Sequence, residues 1–130
     1  IVVAIIGIIA AIAIPSLVKA RTASNEASAI GCLRAYSSAQ FAFYSTKGAG
    51  VTFGTQADLA AGYLDPAFVT SGFRNEYTYT FNLTNSNKSF EAFADPVALD
   101  PDIRHFYTDA SGVIRFAFSS AGPTSTVLGA

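Results

Sequence analysis

Few side chains in this sequence could carry chemistry. Its 130 residues include one cysteine, Cys32, and one histidine, His105. An internal disulfide, a four-cysteine zinc site and a covalent haem attachment each need at least two cysteines, so none of them is expected. His105 could act as a catalytic base, but no motif supplies the nucleophile and the orienting carboxylate that a triad needs. The sequence therefore predicts that the chain is not an enzyme and that His105 is a strand residue.

Four aspartates near the C-terminal third form the other candidate site: Asp95, Asp100, Asp102 and Asp109. Carboxylate oxygens are ligands that calcium prefers. Their spacing, however, matches no EF-hand pattern. We therefore expect no bound metal and no other cofactor.

The composition is apolar and poor in charge. Charged residues make up 13% of the chain and hydrophobic residues 51%, whereas about a quarter of a typical soluble domain is charged. The net charge of −1 is too low for a protein that grips nucleic acid, so no direct binding to nucleic acid is expected. The length fits one domain. The apolar excess therefore points to a surface that is buried beyond an ordinary core.

This excess is concentrated at the N-terminus. Residues 1–18 contain no charge, and the first 14 residues, IVVAIIGIIAAIAI, are apolar except for Gly7. A helix of that length reaches about 21 Å, less than the roughly 30 Å hydrocarbon core of a bilayer. A signal peptide would carry positive charge before the apolar run and a small-residue cleavage site after it, whereas here Pro15 and Lys19 follow it. We expect the true start of the chain to lie upstream.

The pattern remains helical from residue 16 to residue 47. Only one glycine and no proline occur in this range, and Gly48-Ala49-Gly50 supplies a stop signal. Apolar and small residues recur at spacings of three and four along two stripes. The first stripe is Ala23, Ala27, Ile30, Leu33, Ser37, Phe41 and Tyr44, and the second is Ala29, Cys32, Tyr36, Ala39 and Phe43. The two stripes predict a helix with two faces to cover.

The remainder of the chain predicts a short helix followed by an antiparallel sheet of about four strands. Residues 55–63 are typical of a helical turn, and residues 77–84 alternate apolar and polar side chains as a half-buried strand does. Three more strands and two turns follow the same signals. The strands are predicted at 90–94, 104–108 and 113–118, the turns at 85–88 and 109–112, and an extended tail over the last dozen residues. The predicted fold class is α+β, with a long N-terminal helix packed on a C-terminal sheet.

The segment from Ile1 to Pro15 resembles the N-terminal methylation signature of bacterial type IV pilins and pseudopilins. Residues 25–34 and 105–115 also look like a subgroup of pilins. The resemblance implies about seven more residues upstream, including an N-methylated phenylalanine and a glutamate, and neither is present in this sequence. With them the apolar helix would hold about 21 residues and span roughly 31 Å, enough to cross a bilayer.

The resemblance implies a division of the chain at residue 47. Residues 1–47 would be the polymerisation helix, hydrophobic over 1–18 and amphipathic over 19–47, and residues 48–130 a globular head with an αβ-loop and an antiparallel sheet. It implies a homo-oligomeric helical filament, a pilus that serves adhesion, motility or DNA uptake. The partners would be a prepilin peptidase and the pilus assembly machinery. The chain would lie in the inner membrane before assembly and in an extracellular filament afterwards.

The large aliphatic side chains of residues 1–14 would then pack the filament core. They are Ile1, Val2, Val3, Ile5, Ile6, Ile8, Ile9, Ile12 and Ile14. Gly7 and Pro15 bracket a weak helix, because proline lacks a backbone donor and clashes with the carbonyl four residues earlier. We expect an extended or melted stretch between them, and the alternative is a simple kink at Pro15.

Charge is divided between the two parts of the chain. Residues 19–47 carry a net charge of +3, and residues 48–130 carry −4. A basic helix and an acidic head can pair between neighbouring subunits, and Glu26 and Arg34 are the candidate contacts. The alternative is a set of unrelated surface charges, each pair of which contributes about 0–1 kcal/mol.

Three other functions stay open. A pseudopilin of a type II secretion system is the alternative that shares the resemblance. A filament that conducts electrons through Phe41, Phe43 and Tyr44 is a further one, although core packing explains aromatic residues at these positions. A small membrane-anchored module that binds lipid or another ligand belongs to a different class.

Overall fold

A computed structural model describes residues 1–122 and 126–127 of the chain. Within these residues one long helix, α1 (Val2–Ser45), is followed by two short ones and by a single antiparallel sheet in the order β1-β2-β3-β4-β5-β6. The short helices are α2 (Gln56–Ala60) and α3 (Pro66–Ser71); the strands are β1 (Phe73–Arg74), β2 (Tyr77–Thr84), β3 (Ser89–Pro96), β4 (His105–Asp109), β5 (Ile114–Ala117) and β6 (Thr126–Val127). The predicted α+β class, a long N-terminal helix and an antiparallel sheet, is confirmed.

One face of the second half of α1 packs on the sheet. The second predicted stripe, from Ala29 to Phe43, is buried at every position, whereas the first stripe buries only Leu33 and Ser37. A sheet covers one side of a helix, so the opposite side stays in solvent. Ala27, Gly31 and other small residues of the first stripe's face are therefore exposed.

β2 and β3 form the longest ladder of the sheet. Their pairing runs from Tyr77 opposite Pro96 to Thr84 opposite Ser89, as the alternation over residues 77–84 predicted. Successive side chains of a strand point to opposite faces, and Phe90 and Ala92 on the inner face are fully buried against α1. The predicted boundaries of β4 and β5 are confirmed to within one residue.

The sheet has six strands among the described residues, and about four were predicted. β1 and β6 are each two residues long, too short to leave a periodic pattern. β6 lies in the segment predicted as an extended tail, of which residues 123–125 and 128–130 lie outside the described part. α3 was also missed, although its signals are present: Asp65 accepts a hydrogen bond from the backbone N–H of Ala67, and Pro66 occupies the first turn.

The core between α1 and the sheet is built from aromatic rings. Tyr36 stacks on Phe81 with ring centroids 4.2 Å apart and meets Phe90 edge to face at 5.6 Å. Tyr44 stacks on Phe53 at 4.8 Å. These contacts lie within one chain and account for the aromatics at the end of α1 as core packing.

The loop after α1 is fastened to the helix by a buried amide. The Gln40 side chain donates to the carbonyl of Gly54 at 3.0 Å and accepts from the backbone N–H of the same residue at 2.9 Å. It also donates to the Tyr36 hydroxyl at 2.8 Å. Gly54 must be glycine here, because a Cβ would lie 2.9 Å from the Phe43 ring.

Candidate functional site

The first part of α1, residues 1–18, projects away from the rest of the fold; we call it the arm. Every arm residue is exposed except the half-buried Ala10. This includes all nine side chains predicted to pack a filament core, with exposures from 52% for Ile5 to 101% for Ile1. A solvent-exposed apolar surface of this extent marks a contact with another molecule or a membrane.

α1 is long and apolar enough to cross a membrane, judged by length and composition, and its most apolar 18-residue stretch has no buried residue. The mean hydropathy of the whole chain is positive for the same reason. A core helix of a soluble domain would bury such a stretch in its own fold. The arm is therefore compatible with a transmembrane helix.

The structure has helix where a melted stretch was expected. α1 continues without interruption through Gly7 and Pro15. Proline removes one backbone donor and strains one turn, and helix-compatible residues, Ala13 and Ile14 before it and Leu17 and Ala20 after it, keep the neighbouring turns helical. The melted stretch between Gly7 and Pro15 is therefore not a property of the isolated chain.

An ion pair joins the middle of α1 to the sheet. The Glu26 carboxylate accepts from the Arg104 guanidinium at 2.7 and 3.1 Å, and also from the Arg104 backbone N–H at 3.2 Å. The two side chains are 11% and 31% exposed. We call this pair the clamp. Glu26 was predicted as a candidate contact with a neighbouring subunit, and in the structure its carboxylate pairs with Arg104 of its own chain.

Aromatic side chains support the clamp. The Arg104 guanidinium lies over the rings of Phe106 and Phe116, 5.6 and 5.2 Å from their centroids. The Arg104 carbonyl accepts from the Tyr77 hydroxyl at 2.8 Å. Burial, with a smaller effect of the nearby Glu26 carboxylate, raises the pKa of Tyr77 well above its usual range.

Arg104 was not singled out from the sequence. It lies 78 residues from Glu26, and no local periodicity connects a helix position with a strand position at that separation. The only available signal was a basic residue at the start of a predicted strand, which does not identify a partner. Pairing across the fold is therefore a finding of the structure.

Arg34 remains available to another molecule. It is exposed, and it forms no ion pair with any residue in the described part of the chain. Beside it a groove of about 360 Å³ runs between α1 and the β4–β5 turn, lined by Ser38, Phe41 and Gly112 among others. Its role as an intersubunit charge stays a prediction.

The other chemistry-bearing residues lie apart from the arm. His105 is a β4 residue, as predicted, and its Nδ1 lies 2.7 Å from Oδ1 of Asp95 on β3. Asp100 and Asp109 each accept hydrogen bonds within their own turns. Over residues 1–122 and 126–127, no three histidine, cysteine or acidic side chains are grouped as metal ligands would be. Cys32 is buried and free.

No family model, curated protein or solved structure matches this chain. Three features of the described residues bear on function: an exposed apolar arm, a clamp that fixes the sheet to the same helix, and an exposed Arg34 that lies beside a groove and forms no ion pair with a described residue.

Proposed function

We propose that the chain is the repeating subunit of a bacterial type IV pilus, anchored in the inner membrane by its arm and then assembled through the arm into an extracellular filament. The observation that carries the proposal is the exposure of the arm on a helix whose other end packs against the sheet. Such a helix needs an apolar environment at one end only. A membrane supplies it before assembly, and the arms of neighbouring subunits supply it afterwards.

The energy available from the arm is large. Burial of one valine or isoleucine side chain is worth about 1.5–3 kcal/mol. The nine exposed aliphatic residues of the predicted filament core therefore offer roughly 15–25 kcal/mol of gross gain on that scale. The loss of translational and rotational freedom on association consumes an estimated 4–15 kcal/mol. The arm alone therefore supplies enough to hold a subunit in a polymer.

The clamp supports a role in assembly as well. A force or packing constraint applied to the arm reaches the head through α1, and Glu26 lies where the helix enters the head. Because the ion pair and its aromatic support tie the sheet to this point, each subunit would be incorporated with one fixed orientation of head and helix. A constant orientation is what a repeating helical contact requires.

Surface fibres provide the direct test. We expect electron microscopy of fibres sheared from cells that produce the chain to show long helical filaments, with this chain as their main component by mass spectrometry. Ile9→Asp, which places a charge in the arm, should abolish the fibres. The matched control is Val51→Asp, at an equally exposed position of the head, and it should leave them intact.

Other outcomes separate the alternatives. A secretion defect on deletion of the chain, without long surface fibres, would favour a pseudopilin of a type II secretion system. A chain that stays monomeric after detergent removal and produces no fibres would overturn the polymer proposal and favour a membrane-anchored binding module.

A further inference from the structure

The β3–β4 loop, residues 97–104, presents a large apolar side chain directly before two acidic ones. Leu99 is 101% exposed, so it has no packing partner in the described part of its own chain. Asp100 and Asp102 are exposed beside it. Asp102 forms no ion pair with any described residue. A leucine held wholly in water next to the exposed Asp102 carboxylate is a surface that a partner with an apolar groove and a positive charge would cover.

The same chain carries a groove of that description. It lies between α1 and the β4–β5 turn, has a volume of about 360 Å³, and is lined by Arg34, Ser38, Phe41 and Gly112 among others. Phe41 is 40% exposed and supplies the apolar wall. Arg34 supplies the positive charge, and its planar guanidinium can donate two parallel hydrogen bonds to the oxygens of one carboxylate. The groove and the loop therefore match in charge and in apolar character.

We propose that the β3–β4 loop of one copy docks into the α1 groove of the next copy, with Leu99 against Phe41 and Asp102 paired with Arg34. The inference rests on the proposed filament and names the contact between heads that the arm does not supply. Loop and groove are different surfaces of the same chain, so the contact is heterologous and leaves a free loop and a free groove at the two ends. Repetition of it produces an open polymer.

The positions of the two surfaces define the offset between such copies. The loop lies beside residues 14–26 of α1, where Ile14, Lys19 and Glu26 share a cavity with Asp100. The groove lies at residues 34–41. With parallel helices, docking shifts one copy by about 17 residues, or about 26 Å, along α1 of the next. The arm of one copy then runs beside residues 18–35 of the copy on which it docks, and its contacts with other arms are made with different neighbours in the filament.

Disulfide crosslinking in assembled fibres tests the contact. In a Cys32→Ser background, the pair Ser38→Cys and Leu99→Cys places one thiol in the groove and one on the loop. We expect oxidised fibres to yield a ladder of covalent multimers on a non-reducing gel. The control pair is Ser86→Cys and Leu99→Cys, because Ser86 lies in the exposed β2–β3 turn, and it should yield monomers only.

Charge reversal provides a second, independent readout. Arg34→Glu and Asp102→Arg should each lower the yield of sheared fibres about fivefold at low salt, and the double variant should restore it because the pair is re-formed with the opposite polarity. Lys88→Glu, an exposed charge reversal outside both surfaces, should leave the yield unchanged. Failure of the double variant to recover would contradict the pairing.

The outcomes distinguish this contact from the filament itself. Fibres that form normally but show no Ser38–Leu99 ladder and no rescue would overturn the docking contact and leave the pilus proposal standing. Absence of fibres from the unsubstituted chain would overturn both. A ladder together with rescue would establish the loop and the groove as the head-to-head interface.

Discussion

Removal of the Glu26 charge should destabilise the head strongly. Loss of one partner of a buried ion pair costs about 3–5 kcal/mol, since the other charge is left without compensation. Arg104 is 31% exposed, so water recovers part of that loss and we expect Glu26→Gln to lower the free energy of unfolding by about 2–3 kcal/mol. The remaining glutamine oxygen can still accept one of the hydrogen bonds.

Urea denaturation of the full chain in detergent micelles, followed by tyrosine fluorescence, measures the effect. With a slope of about 1.5 kcal/mol per molar urea, the midpoint should fall by about 1.3–2 M. Arg34→Gln is the matched control, because Arg34 lies on the same helix without an ion pair to the described residues, and its effect should stay within about 0.5 kcal/mol.

A double-substitution cycle isolates the pair itself. Arg104→Gln should cost more than Glu26→Gln, because the Glu26 carboxylate that it leaves unpaired is only 11% exposed. The two substitutions together should cost clearly less than the sum of the single effects, because both remove the same interaction. The reasoning is refuted if Glu26→Gln shifts the midpoint no further than Arg34→Gln does, or if the two single effects simply add.

Three further outcomes follow from the core and the arm. Burial raises the pKa of Tyr77 and of Tyr107 above the ordinary value of 10.0, so the unfolded chain releases these protons first. The contribution of the two tyrosines to stability should be constant below about pH 9, and urea midpoints that do not fall as the pH rises past 10 would contradict this. Gln40→Leu leaves the backbone N–H and C=O of Gly54 without their side-chain partner and should lower the free energy of unfolding by about 2–4 kcal/mol, measured by thermal or urea unfolding. An unchanged midpoint would show that these hydrogen bonds contribute nothing to stability. Amide hydrogen exchange in micelles should be slow over residues 8–14. It should be slower still in Pro15→Ala, because this substitution removes a helix penalty of about 3 kcal/mol. Rapid exchange of these amides in the unsubstituted chain would instead support the melted stretch that the sequence predicted.

Sequence periodicity predicted those helices and strands that are long enough to repeat their pattern of apolar and polar residues. The alternation over 77–84 gives β2 its observed bounds, and the stripe from Ala29 to Phe43 marks the buried face of α1. β1 and β6 have two residues each and cannot show a period. α3 was missed because Asp65 and Pro66 signal both the end of one element and the start of another.

The features of the candidate site also differ in whether the sequence could predict them. The arm was evident from the sequence, because a long uncharged run is a local property. The partner of Glu26 was not, since the choice between Arg104 and a second subunit depends on how the sheet folds back on α1. The helical state of residues 7–15 was predicted incorrectly. The prediction considered the local energetic cost of Pro15 but not the stabilisation from the helix that continues on both sides of it.

The central claim is that the arm packs against the arms of other copies in a filament. A helical reconstruction by electron cryomicroscopy of fibres from cells that produce the chain tests it most directly. The account predicts that the fibres consist of this chain, with residues 1–18 at the filament axis in contact with the same segment of neighbouring copies. Fibres built from another protein, or from this chain with its arm on the outside in solvent, would contradict it.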